Sequence, residues 1–247
     1  MINLDIPTVN SSQMREIDRL MIEEYGISLE QMMENAGRNL ADLSMEILNR
    51  HLRNLTSKVM VVCGHGNNGG GGMVAARFLS NRGINVTVIL ACSEDKLKSI
   101  PSMRWQTLKK LPIKLVVANH DTPVHLFREA DLIIDAVIGY SLSGNPYGIP
   151  GYIIQKILES QNQNVLSLDV PSGFDTETGI AYDLCIKASA TMTLALPKKG
   201  LISSNAKKYV GELYLTDIGI PPSLYKKLGL SLSPLFTEET ILRLTDR

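Results

Sequence analysis

Between Lys58 and Asn81 the chain runs through an apolar segment, Val59-Met60-Val61-Val62-Cys63, and then Gly64-His65-Gly66-Asn67-Asn68-Gly69-Gly70-Gly71-Gly72, with six glycines in nine residues. Glycines leave backbone N–H groups unscreened, and a helix starting just after them adds its positive end, so the segment is predicted to cradle a ligand phosphate. Asn67 and Asn68 add carbonyl oxygens and N–H donors together, which suits a neutral amide or a weakly held monovalent cation. Gly64, Gly66 and Gly69 satisfy the dinucleotide pattern G-x-G-x-x-G. That pattern needs an acidic residue at the end of the next strand, and Glu94 comes late for a ribose carboxylate. A literal reading as an NAD-dependent dehydrogenase is therefore the weakest.

Two further apolar runs end in aspartate: Leu132-Ile133-Ile134-Asp135 and Val165-Leu166-Ser167-Leu168-Asp169. In open α/β sheets, ligands bind outside the carboxyl ends of the strands. Asp135 leads into the small, polar segment Gly139-Tyr140-Ser141-Leu142-Ser143-Gly144-Asn145, and Asp169 into Val170-Pro171-Ser172-Gly173. If strand order brings these ends beside the glycines, both carboxylates, Asn68 and the Ser172 hydroxyl share one crevice. Aspartates at strand ends also serve as ordinary turn formers.

The elements that must position these groups alternate. Short apolar strands are predicted at 59–63, 85–90, 114–117, 132–135 and 165–169, with helical stretches at 94–111, 123–129 and 151–160 between them. That alternation predicts an α/β fold with a parallel sheet wound by right-handed crossovers. Two more strands are expected within 188–196 and 211–217. Ahead of the sheet, Ser11 and Ser12 can cap a helix carrying Met14, Ile17, Leu20 and Met21, and Ser28-Leu29-Glu30-Gln31 has the form of a capping box that opens a second. Gly37, inside that second helix, marks close approach by another backbone or a ligand, packing being the simpler cause. Pro197-Lys198-Lys199-Gly200 is expected to form a solvated turn, although its lysines could meet a phosphate. Trp105 reads as core or interface packing, and of the four histidines only His65 falls in the proposed site.

At 247 residues, 44% of them hydrophobic, the chain suits a single α/β domain spanning 1–247. Basic and acidic residues balance at 25 each without a basic block, so neither nucleic acid nor an anionic membrane is an expected partner. The scattered Cys63, Cys92 and Cys185 read as buried thiols of a reducing compartment. Met1 to Pro7 carries no secretory signal, and no stretch is long and apolar enough to span a bilayer. A cytoplasmic protein is expected.

Taken together, Met33-Glu34-Asn35-Ala36-Gly37, the glycine segment, Asp135-Ala136-Val137-Ile138-Gly139, Asp169-Val170-Pro171-Ser172-Gly173 and Pro197-Lys198-Lys199-Gly200-Leu201 resemble the YjeF N-terminal domain family. The resemblance covers roughly Ser11 to Pro222, all five blocks in family order. It implies a Rossmann-like three-layer α/β/α sandwich with a mainly parallel central sheet and two N-terminal helices, often dimeric. The implied activity is NAD(P)H-hydrate epimerase: interconversion of R- and S-NADHX and NADPHX, cofactors hydrated at C6 of the nicotinamide ring. A separate ADP- or ATP-dependent dehydratase repairs the S epimer; the chain ends near residue 247, so that partner is expected to be another polypeptide. Carried over by position, the resemblance implies a K+ site at Asn68, Asp135 and Ser172. It implies substrate contacts at Asn67, Asn68, Gly69, Gly70 and Gly71, at the segment Gly139 to Asn145, and at Asp169, which is the candidate catalytic carboxylate. Two positions depart from the family pattern: Gly71 stands where it usually has aspartate, and His65 where it usually has proline. A non-catalytic descendant, binding a nucleotide-like metabolite or serving as a dimeric interaction module, is the alternative that Gly71 raises.

Overall fold

The structure is a computed structural model that describes residues 6–51, without the His51 side chain, and 57–244. Met1 to Asp5, on which most of the N-terminal reading rests, lie outside it. The elements run α1 (Ser11–Glu23), α2 (Leu29–His51), β1 (Lys58–Cys63), α3 (Asn67–Asn81), β2 (Asn85–Leu90), α4 (Ser99–Leu108), β3 (Lys114–Val117), α5 (His125–Arg128) and β4 (Leu132–Ala136). They continue with α6 (Gly148–Ser160), β5 (Val165–Leu168), β6 (Ala190–Leu194), α7 (Lys207–Val210), β7 (Glu212–Thr216), α8 (Pro222–Lys227) and β8 (Ile241–Leu244). Among the described residues no helix is long and apolar enough to cross a membrane.

Eight strands form one sheet in the order β3-β2-β1-β4-β5-β6-β7-β8. All neighbours are parallel except β7 and β8, which are antiparallel. Strand order therefore reverses between β1 and β4, which pair level at Cys63 and Ala136. A crevice at the carboxyl ends of the strands is the physical consequence of that reversal.

Alternate residues of β1 face opposite ways and divide the core. Val59, Val61 and Cys63 pack under α2, α3 and α4 with Trp105, while Met60 and Val62 meet Phe127 of α5 and Ile153, Ile154 and Ile157 of α6. Phe127 is wholly buried, worth about 1.5–3 kcal/mol for a side chain of this kind. A third cluster joins Met14, Ile17 and Met21 of α1 to Ala195, Leu196 and Leu224, which fixes α1 over the ends of the strands.

Some local expectations change. The cap of α1 is Asn10, not Ser11 or Ser12: its side chain accepts from the Gln13 N–H at 2.8 Å, and Gln13 Oε1 accepts from the Asn10 N–H at 3.0 Å. A capping box does open α2, where Ser28 Oγ accepts from Gln31 N–H at 3.2 Å and Gln31 Oε1 from Ser28 N–H at 2.7 Å. The glycine run is not a loop, because α3 begins at Asn67 and contains Gly69 to Gly72. Each of these four faces a neighbour at close range. A Cβ at Gly69 would lie 2.0 Å from Gly64 O, at Gly70 2.6 Å from Met33 Sδ, at Gly71 2.9 Å from Leu168 Cδ2 and at Gly72 2.7 Å from Ala136 Cβ. The glycines let a helix lie closer to sheet and neighbour than side chains allow. Gly37 is explained in the same way, since a Cβ there would stand 2.4 Å from Val74 Cγ1 and 2.9 Å from Gly71 O.

Candidate active site

A cleft of about 310 Å³ opens where the strand order reverses, near the lower end of the ~300–1,000 Å³ usual for ligand sites. Its floor is the carboxyl ends of β1, β4 and β5, and α1 and α2 cover it with Met14, Asp18, Met32 and Met33. The loops are drawn together by glycine: a Cβ at Gly64 would fall 1.9 Å from Val137 O, and Gly64 N–H donates to Ala136 O at 3.0 Å.

Asp169 follows β5 and is 3% exposed. Its φ is +68°, a left-handed conformation in which aspartate is among the better tolerated residues and which turns the carboxylate out of the strand. The turn is held by its own N–H donating to Met192 O at 2.8 Å. Tyr140 N–H donates to Asp169 Oδ2 at 3.1 Å, and the Lys198 ammonium forms an ion pair with Oδ1. Lys198 is 0% exposed, so the expected solvated turn is wrong for this lysine. Its Nζ also donates to Leu194 O at 2.9 Å and Thr193 Oγ1 at 3.3 Å. Val9 pins the segment, its N–H donating to Pro197 O at 3.0 Å and its carbonyl accepting from Lys199 N–H at 3.1 Å. Lys199 itself is exposed.

Asn68 sits in the first turn of α3, facing Gly139. A Cβ at Gly139 would come 3.2 Å from Asp169 Oδ2 and 3.3 Å from Asn68 Cγ, so the missing side chain lets the amide and the carboxylate share the cleft. The Asn68 Nδ2 is buried and makes no hydrogen bond. Buried donors are nearly always satisfied, and an orphan beside a cleft is a place for a ligand acceptor. Gly66 gives α3 no side-chain cap, and Gly66 and Asn67 line the cleft, so the helix N-terminus opens onto it.

Asp135 and Ser172 lie beneath the cleft, both 0% exposed. The carboxylate accepts from Ser172 Oγ at 2.6 Å, Ser172 N–H at 2.8 Å, Ser167 Oγ at 2.8 Å and Val137 N–H at 3.3 Å. Burial pushes its pKa up, against the pull of these donors. All four donors are uncharged. Ser172 Oγ in turn accepts from Ile138 N–H at 2.8 Å. Among the described residues no group of three or more His, Cys, Asp or Glu could hold a metal ion.

The predicted residues thus divide. Asn67, Asn68, Gly71, Gly139, Tyr140, Ser141 and Asp169 line the cleft, as does His65. Gly69 and Gly70 pack against Gly64 and Met33. Leu142, Ser143, Gly144 and Asn145 lie outside the lining; Asn145 Nδ2 donates to Asp183 Oδ2 at 2.9 Å, and its Oδ1 accepts from Asp183 N–H at 3.0 Å. Sequence reasoning missed Asp18, which reads as one more charge on the polar side of α1, although Met14, one turn before it, also faces the cleft. Asp18 Oδ2 accepts from the Tyr140 hydroxyl at 3.0 Å. Burial pushes that phenol's pKa up, with the Asp18 charge adding to the effect, which keeps it a donor.

The sequence profile of the YjeF-related protein N-terminus matches residues 29–200. An NAD(P)H-hydrate epimerase of Dehalogenimonas lykanthroporepellens is 42% identical over 88% of this chain and 84% of its own length. One of Pirellula staleyi is 31% identical over 87% of this chain and 93% of its own. A bifunctional NAD(P)H-hydrate repair enzyme of Moorella thermoacetica is 34% identical over 87% of this chain, which spans 41% of that longer protein. The crystal structure of the yeast protein ynu0 superposes with a TM-score of 0.81 at 24% identity, covering 97% of this chain and 100% of that one, which shows a shared fold. On the profile match and the 42% identity, the chain belongs to the YjeF-related protein N-terminus family.

Proposed function

We infer that this chain is an NAD(P)H-hydrate epimerase, an isomerase that interconverts the R and S forms of NADHX and NADPHX in repair of hydrated nicotinamide nucleotides. C6 of such a ring bears a hydroxyl beside the ring nitrogen. A carboxyl group gives its proton to the hydroxyl, water leaves as the nitrogen lone pair forms C=N+, and water returns to either face and hands a proton back. Asp169 is the residue for this exchange on the face of the ring it stands on. The observation that carries the reading is the setting of that carboxylate: it lines the cleft, one oxygen on the Lys198 ammonium and the other on the Tyr140 N–H.

Asn67, Asn68 and Gly71 at the start of α3, and Gly139 to Ser141 opposite them, are proposed to hold the nicotinamide end, with Gly69 and Gly70 setting the helix and Leu142 to Asn145 reaching the rest of the nucleotide. A K+ ion is proposed at Asn68, Asp135 and Ser172; what supports it is a buried carboxylate whose four hydrogen-bond donors are all uncharged. When bound, the ion would tie the loops after β4 and β5 to α3. Gly71 removes a carboxylate from the substrate segment, and Asp169 takes the proton traffic alone on that side. We further propose that the protein is a cytoplasmic homodimer of single-domain chains supplying the S epimer to a separate dehydratase; its described cysteines are all free and buried, as a reducing compartment allows.

The test is regeneration of NADH from R-NADHX with excess S-specific dehydratase and KCl. The wild type accelerates it; Asp169→Asn lowers the rate by about 10²–10⁴-fold. No acceleration by the wild type, with activity in Gly71→Asp, would overturn the assignment.

A further inference from the structure

We propose that Asp18 is a second catalytic carboxyl, serving the face of the substrate ring opposite Asp169. The inference rests on the epimerase reading above and deepens it. Epimerisation through a planar iminium needs proton transfer on both faces of the ring. A single carboxylate reaches only the face it stands on.

The cleft presents a carboxyl from each wall. Asp169 rises from the end of β5, and Asp18 enters from α1, which is held across the strand ends by Met14, Ile17 and Met21. Tyr140 spans the two: its N–H donates to Asp169 Oδ2 at 3.1 Å and its hydroxyl to Asp18 Oδ2 at 3.0 Å. One tyrosine therefore ties the two carboxyls together, its backbone on the first and its hydroxyl on the second. Their environments differ. Asp169 is ion-paired to Lys198, whereas burial pushes the Asp18 carboxyl above the ordinary carboxylate range; the Asp169 charge adds to this, and the Tyr140 hydrogen bond and the Lys198 charge oppose it. Two carboxyls so differently partnered, one on an ammonium and the other on a phenol, suit one acid and one base.

The proton balance closes over one turnover. The Asp18 carboxyl protonates the hydroxyl on its own face, the C6–O bond breaks and water leaves. Water on the other face attacks C6 and gives its proton to Asp169. The pair still holds one proton, now on the other residue, ready for the opposite epimer.

Separated R- and S-NADHX, the full chain and isotopically labelled water test this by following label uptake at C6 alongside inversion, with the uncatalysed rates subtracted. In the wild type both epimers take up label as they invert. In Asp18→Asn, inversion falls by about 10²–10⁴-fold, while the epimer whose hydroxyl faces Asp169 still exchanges its oxygen without inverting. Asp18→Glu, which keeps a displaced carboxyl, lowers the ratio of inversion to exchange by less. That ratio is a property of the folded molecules alone, so partial unfolding does not alter it. An unchanged ratio in either variant would overturn the assignment and leave Asp18 as a hydrogen-bond partner that positions Tyr140. A wild type that neither inverts nor exchanges either epimer would instead overturn the epimerase reading.

Discussion

Lys198 carries a charge at a position with no exposed surface, and among the described residues the one countercharge it hydrogen-bonds is Asp169. Removing one partner of such a pair leaves the other ion buried and uncompensated, at a cost of about 3–5 kcal/mol, while replacing both can be nearly neutral. Lys198→Met is therefore expected to lose about that much stability in urea titration, and Lys198→Met combined with Asp169→Asn to recover most of it. Losses that simply add would mean the two groups are not coupled. At this scale the sequence was partly legible. Asp169 was visible because it ends an apolar run. Lys198 was not, since a lysine between proline and glycine looks the same whether its ammonium meets water or a buried carboxylate. The difference is made 29 residues away, by Asp169. Asp18 was hidden for a similar reason: helical periodicity sorts polar from apolar residues but does not say which polar residue overlooks a cleft.

Elements were easier to read than their boundaries. The strands 85–90 and 114–117 match β2 and β3 residue for residue, because short β-branched runs bounded by polar residues leave little choice. The start of α3 was misplaced because propensity argues against helix: each glycine disfavours it by about 1 kcal/mol relative to alanine, and α3 has four in its first turns. Packing against α2 and the sheet reverses that preference, a tertiary effect no local pattern carries. The same reasoning yields a prediction that opposes propensity. In an isolated helix Gly37→Ala would gain about 1 kcal/mol. Here the new methyl meets Val74 Cβ at 2.5 Å as well as Cγ1 at 2.4 Å, so the branch point of the side chain, not only its tip, must move. Overpacking of this kind costs about 1–3 kcal/mol. Gly37→Ala should lower the thermal midpoint and weaken activity, since α3 carries Asn67 and Asn68. A variant more stable than wild type would show that α2 and α3 can separate freely.

For the whole molecule, the parallel sheet and the meeting of strand ends followed from alternation of elements, but β8 and α8 did not, because an antiparallel edge strand and a short helix lack the spacing that marks a crossover. The outer surface carries a further consequence. Tyr147 is 87% exposed and Ile180 63% exposed, on the two segments that Asn145 and Asp183 tie together. Equal numbers of acidic and basic residues, 25 of each, leave no net charge to hold copies of the chain apart. We propose this face for the homodimer, which would need to bury about 1,600 Å² in all to be of standard size. Light scattering should give twice the chain mass of 27.2 kDa for the wild type, and the chain mass itself for a Tyr147→Lys, Ile180→Lys double variant with unchanged circular dichroism. A wild type that runs as a monomer at micromolar concentration would remove the homodimer. A double variant that remains dimeric would move the interface to another face, away from the segments that Asn145 and Asp183 join.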